Sequence, residues 1–190
     1  MNLAKYLHAL KWEFLQNLPL ILGFLAAARL WRENLILALT ALIVGIGLGI
    51  LLMHYTEPFL HKEKYPPTWK GDLINLGLFV VIALPFLYYF STENRWINWK
   101  SDLIAGVLVG ALLSLGQTIG WKGEKSRMLL HGAAMAASFP LIMIGLRYAL
   151  KIEAWVWMLG VGVLVTLLAS IVITLIDYGE MYKEDERVHH

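Results

Sequence analysis

Four side chains of the kinds that bind metals or move protons stand near the ends of apolar runs: His54, Asp72, His131 and Asp177. Imidazole nitrogens with carboxylate oxygens make a divalent-metal site, and a histidine beside a carboxylate is also an acid–base pair. A second set carries neutral hydrogen-bonding groups: Asn17, Asn75, Gln117, Thr166, Ser170 and Thr174. Amides and hydroxyls each donate and accept, so this set brought together binds an uncharged solute in preference to an ion. Both sets have a plainer reading. Helix ends become polar where they leave hydrocarbon, a histidine at headgroup depth needs no ligand, and a hydroxyl in a membrane helix can bond its own backbone.

Other chemistry is scarce. The absence of cysteine excludes disulfides, thiolate zinc sites, iron–sulfur clusters and cysteine nucleophiles. No nucleophile elbow, His-Glu-x-x-His motif, phosphate-binding loop or dinucleotide-binding glycine fingerprint occurs. A haem between His54 and His131 would sit at the membrane edge, so no cofactor is assigned.

The elements that must position these residues follow from composition. Of 190 residues 58% are hydrophobic and 16% charged, against about 25% charged in soluble domains. That balance belongs to an integral membrane protein. The formal charge is +2, and the basic residues flank apolar runs in short loops, which argues against nucleic acid as a partner. About 20 apolar residues cross a bilayer as helix. Six runs qualify, near 14–30, 35–55, 73–90, 103–120, 128–150 and 154–176. The expected fold is therefore all-α, a polytopic bundle over 13–177. An interfacial segment, 1–12, precedes it, with Leu3, Leu7, Leu10 and Phe14 at helical spacing, as an amphipathic turn or an extension of the first helix. A charged tail, 178–190, follows, and its closing His189-His190 has the look of a tag remnant.

Summed over alternate ends and loops, ten Lys and Arg fall on the side of the termini and six on the other. The positive-inside rule then places both termini in the cytoplasm, and the expected location is the cytoplasmic (inner) membrane of a bacterium or archaeon. The near-repeat WKGDLI at 69–74 and WKSDLI at 99–104 has relatives in Trp31-Arg32-Glu33-Asn34 and Trp121-Lys122-Gly123-Glu124. Successive crossings start on opposite membrane faces, so one site cannot use all four copies. The shared cause is local: Trp at headgroup level, a basic group reaching phosphates, and an acceptor or acid at the first helical turn.

Small residues recur every fourth position as Gly106, Gly110, Ser114 and Thr118; as Gly162, Thr166, Ser170 and Thr174; and as Ala41, Gly45 and Gly49. In lipid, helices associate through close backbone approach at such residues. The three ladders lie on parallel crossings, so the expectation is that they meet at one seam. No ionisable residue lies at mid-depth, which disfavours an ion-motive antiporter. Arg29 and Arg147 are expected to extend outward to headgroup level.

With this orientation all six runs send polar groups to the cytoplasmic end, including Glu13, Gln16, Asn17, His54, Asp72, Asn75, Gln117, His131, Thr174 and Asp177. The expected function is a small transporter, or a membrane-embedded subunit of a transport assembly, for an uncharged or amphipathic solute. The first alternative is a non-catalytic scaffold subunit of a larger membrane complex. The second is an interfacial enzyme using the histidines and aspartates. Partners then comprise the bilayer, a small solute or lipid, and other membrane subunits or a second copy of the chain.

Overall fold

The computed structural model describes residues 3–60, 69, 73, 77, 80–85, 87–88, 99–117 and 125–178. Among these no strand occurs, and the elements in chain order are α1 (Leu3–Leu30), α2 (Leu35–Leu60), α3 (Trp99–Gln117), α4 (Lys125–Ala149) and α5 (Trp155–Ile173). The last continues directly into a π-helical turn, Thr174–Tyr178. The described positions between α2 and α3 are helical too. Among the described residues three helical stretches are long and apolar enough to cross a bilayer, Leu35–Thr56, Gly132–Ala149 and Trp155–Ile176, and Asp102–Leu112 is a shorter apolar one. The described part of the chain is thus all-helical, and these stretches make it an integral membrane protein. The α1 helix runs unbroken through the segment assigned from sequence to the interface.

Helix ends obey local chemistry. The α1 helix closes where the N–H groups of Glu33 and Asn34 both donate to the Leu30 carbonyl, at 3.0 and 2.8 Å. Asn34 then caps α2, its Oδ1 accepting from the Leu37 N–H at 3.1 Å, as expected of an acceptor at a helix start. Between α4 and α5 the chain turns within five residues, 150–154. So short a connection makes the two helices antiparallel neighbours.

The helices pack in the order α2, α1, α5, α4, α3. At the α1–α2 crossing Gly23 and Gly45 face each other so closely that a Cβ on Gly45 would lie 2.7 Å from both the Gly23 Cα and the Pro19 carbonyl oxygen. At the α3–α4 crossing a Cβ on Gly106 would lie 2.6 Å from the Pro140 nitrogen, which carries no hydrogen and so admits a close neighbour. Gly110 meets the backbone of Met135 and Ala136, and Gly162 meets Leu22 and Leu25 of α1. The ladders therefore do not share one seam. Short loops pair each helix with a sequence neighbour first, so the α2 ladder is used against α1 and the α3 ladder against α4. The glycine of the α5 ladder goes to α1.

Apolar side chains fill the remaining space in three groups. Leu42, Ile46 and Ile50 of α2 pack with Ala27, Ala28 and Leu87. Ile21, Leu25, Leu146, Ala149 and Met158 join α1, α4 and α5. Val109, Met135 and Ile173 join α3, α4 and α5, with Ile82 and Phe139 against them. Outward faces are equally apolar, as Ile36, Ile43 and Val44 on α2 and Val156 and Leu164 on α5 illustrate. This is the surface that hydrocarbon covers.

Candidate functional site

Depth along the bundle follows from three contacts. The Arg29 guanidinium at the end of α1 donates to the Glu153 carbonyl just before α5, at 3.5 Å. Gly162 stands against Leu22 and Leu25, and the π turn packs on α1 and α4. The α1 and α5 helices are therefore antiparallel. At a rise of about 1.5 Å per residue, Ser170 lies roughly 12 Å below Gly162, level with Gln16, which lies about 11 Å below Leu22–Leu25. Thr174 is one turn lower. The end of the bundle near the start of α1 is called the near end below, and the other the far end.

At the near end Gln16 of α1 and Thr56 of α2 are both buried. The Gln16 amide Nε2 donates to the Thr56 hydroxyl, and that hydroxyl donates to the Leu52 carbonyl at 2.6 Å. Asn17 bonds within α1, its Nδ2 donating to the Glu13 carbonyl at 2.9 Å and to a Glu13 carboxylate oxygen at 3.2 Å. Since Thr56 keeps Leu52 as a partner, replacing Gln16 by leucine strands no buried group and is expected to cost only about 1 kcal/mol. A double-mutant cycle with Thr56→Val, read by unfolding in detergent micelles, measures the coupling.

The α5 ladder is wholly inside: Thr166, Ser170 and Thr174 are each 0% exposed. Other described Ser and Thr hydroxyls turn back on their own helices. Thr40 donates to the Ile36 carbonyl at 2.8 Å, Ser138 to Met135 at 3.1 Å and Thr166 to Gly162 at 2.8 Å. The Ser170 and Thr174 hydroxyls have no hydrogen-bond partner among the described residues. Ser170 lies in the last turn of α5 and Thr174 opens the π turn that follows, a distortion frequent at functional sites.

The far end is closed differently. Ile21, Leu25, Leu146, Ala149 and Met158 form an apolar layer, and beside it Arg147 in the last turn of α4 meets Asp102 in the first turn of α3. The guanidinium grips the carboxylate with two hydrogen bonds, Nε to Oδ2 and, at 2.6 Å, Nη2 to Oδ1. Asp102 is 1% exposed and Arg147 20%. Arg147 thus does not extend outward to headgroups as the sequence led one to expect. A buried carboxylate on the adjoining helix offers it a desolvated, bidentate partner that water-level phosphates cannot better. Mirror positions at the two ends of an antiparallel hairpin, third from the end of α4 and fourth in α3, were the available signal for this pair.

The sequence-derived metal set is only partly within the described residues. The His54 ring stacks on Trp69, with centroids 3.9 Å apart and planes at 23°, and meets Tyr55 edge-on at 5.5 Å. Asp72 lies outside the described residues, as do the side chains of His131 on α4 and Asp177 in the π turn. Among the described residues no three His, Asp or Glu side chains stand close enough to share a metal ion. Of the solute-binding set, Asn75 lies outside the described residues and so does the side chain of Gln117, the last residue of α3. Thr166, Ser170 and Thr174 share one face of α5, and Asn17 stays bonded to its own helix.

Comparison with models of protein families, with curated proteins and with solved structures finds no match in any of the three.

Proposed function

We propose that this chain is a small multi-pass transport protein, or the membrane subunit of a transport assembly, that takes an uncharged or amphipathic solute from the near end. In this reading it spans the membrane six times with both termini in the cytoplasm, so the near end opens inward. One observation carries the proposal: among the described residues, the buried hydroxyls left without a hydrogen-bond partner both stand at one end. Buried Gln16, Thr56, Ser170 and Thr174 stand at the near end, two of them with hydroxyls unpartnered among the described residues. The far end holds an apolar layer and a self-satisfied ion pair. Polar groups inside a membrane bundle are costly, so an uneven supply of them supports a site, open at one end and shut at the other. Opening the far end requires α3 and α4 to move at their glycine contacts.

Reconstitution tests this. Proteoliposomes are challenged with a hyperosmotic step of glycerol or urea, with sucrose as the impermeant control, and their reswelling is followed by light scattering. Protein-containing vesicles should reswell at least fivefold faster than protein-free ones. The double variant Ser170→Ala/Thr174→Val should remove most of that difference. Equal rates with and without protein for both solutes refute the solute reading.

The scaffold alternative has one observation in its favour. Gly47 and Gly160 face outward with nothing within 4 Å of where a Cβ would be, and outward glycine permits another helix to approach closely. Gly47→Leu should then dissociate the complex in native mass spectrometry, and an unchanged mass would remove this reading.

A further inference from the structure

We infer that Ser170 and Thr174 together hold one uncharged oxygen atom, from water or from a hydroxyl of a small solute, in the seam where α5 meets α1 and α4. The inference rests on the transport reading for its purpose and on the hydroxyls for its chemistry. Both side chains are fully buried. Neither hydroxyl makes a hydrogen bond to a partner among the described residues. The contrast with Thr40, Thr56 and Thr166 on membrane helices is direct, since each of those donates to the carbonyl four residues earlier. The same local bond is open in principle to Ser170 and Thr174, and neither makes it. Nor is the backbone there at fault, because the Thr174 N–H still donates to the carbonyls of Ser170 and Ile171.

Spacing sets the size of the guest. Residues four apart on a helix have Cβ atoms about 5–6 Å apart. Two O–H···O bonds meeting at a shared atom span roughly 5.5 Å. One oxygen between the two hydroxyls therefore satisfies both. Each hydroxyl offers a donor and two acceptor sites, and a water or alcohol oxygen, itself donor and acceptor, meets the pair in either sense. Thr166, Ser170 and Thr174 are themselves uncharged, which favours a neutral guest. The π turn that starts at Thr174 and rests on α1 and α4 is the element whose shift would let the guest in or out.

The test uses the full chain in nanodiscs with carbon-13 threonine methyl labels. The Thr174 methyl should show a nuclear Overhauser peak to water or, on titration, to the C–H protons of glycerol. The Thr166 methyl, whose hydroxyl is bonded to Gly162, serves as the internal reference and should show neither. Ser170→Ala should weaken the Thr174 peak at least fivefold, with Ser170→Cys in its place should the alanine variant not fold. A peak to glycerol supports both this inference and solute transport. A peak to water alone supports the oxygen site, and with no glycerol flux it leaves that site standing while the transport reading falls. No peak to either, with flux intact, overturns the oxygen site and spares the transport reading.

Discussion

Gly45→Val should split α1 from α2 and cost about 3 kcal/mol of stability, at the upper end of what overpacking causes. The reason is what the new side chain meets. A Cβ at this position lies 2.7 Å from the Gly23 Cα and 2.7 Å from the Pro19 carbonyl oxygen. Both are backbone atoms of a helix, so no rotamer change relieves the clash and the whole α1 helix must withdraw. Withdrawal also loosens Leu42, Ile46 and Ile50 from Ala27 and Ala28. In a bilayer that loss has no hydrophobic compensation, because lipid tails are as apolar as leucine and close packing is the main attraction between helices. Gly47→Val on the same helix is the control. Nothing lies within 4 Å of its Cβ position, and a substitution there should stay within about 0.5 kcal/mol of the parent. Unfolding by SDS titration in mixed micelles measures both. Equal effects would mean that helix propensity, not contact with α1, governs α2.

Asp102→Ala should be comparably damaging, by about 3 kcal/mol, the lower end for breaking a buried pair because Arg147 keeps 20% of its side-chain surface exposed. Removing the carboxylate takes away the two hydrogen bonds by which it holds the Arg147 guanidinium. Most of the cost is the desolvation of the guanidinium that this carboxylate no longer offsets, not the lost attraction. The double variant Asp102→Leu/Arg147→Met should accordingly recover nearly all the stability, since a well-packed apolar pair avoids desolvating either ion. Thermal unfolding of the three proteins in the same detergent decides the matter. If the double variant is as weak as the single one, the pair contributes through geometry at the α3–α4 contact and not through charge.

These outcomes bear on function through the ends of the bundle. A far end held by Asp102, Arg147 and glycine contacts must loosen for a solute to leave, whereas the near end already carries hydroxyls available to one. Variants that weaken the clamp without unfolding the chain, such as Asp102→Asn, are therefore the ones to carry into the reswelling assay, where faster flux is the expected result.

The sequence by itself determined the class, the helical character and, within a few residues, where the described helices begin and end, except that α1 begins at Leu3 and not near 14. It also determined that Thr166, Ser170 and Thr174 share a face, because the helical repeat fixes which residues stand on one side whatever surrounds them. Asn34 capping α2 was likewise local, a matter of neighbours three residues apart. Only the tertiary structure decided which helix covers which ladder, because every ladder is compatible with any small-residue partner and loop length does the choosing. Only it joined Asp102 to Arg147, 45 residues away, and separated the hydroxyls that bond their own backbone from the two that do not. Helix period is a property of adjacent residues; pairing across helices depends on distances that no stretch of the chain contains.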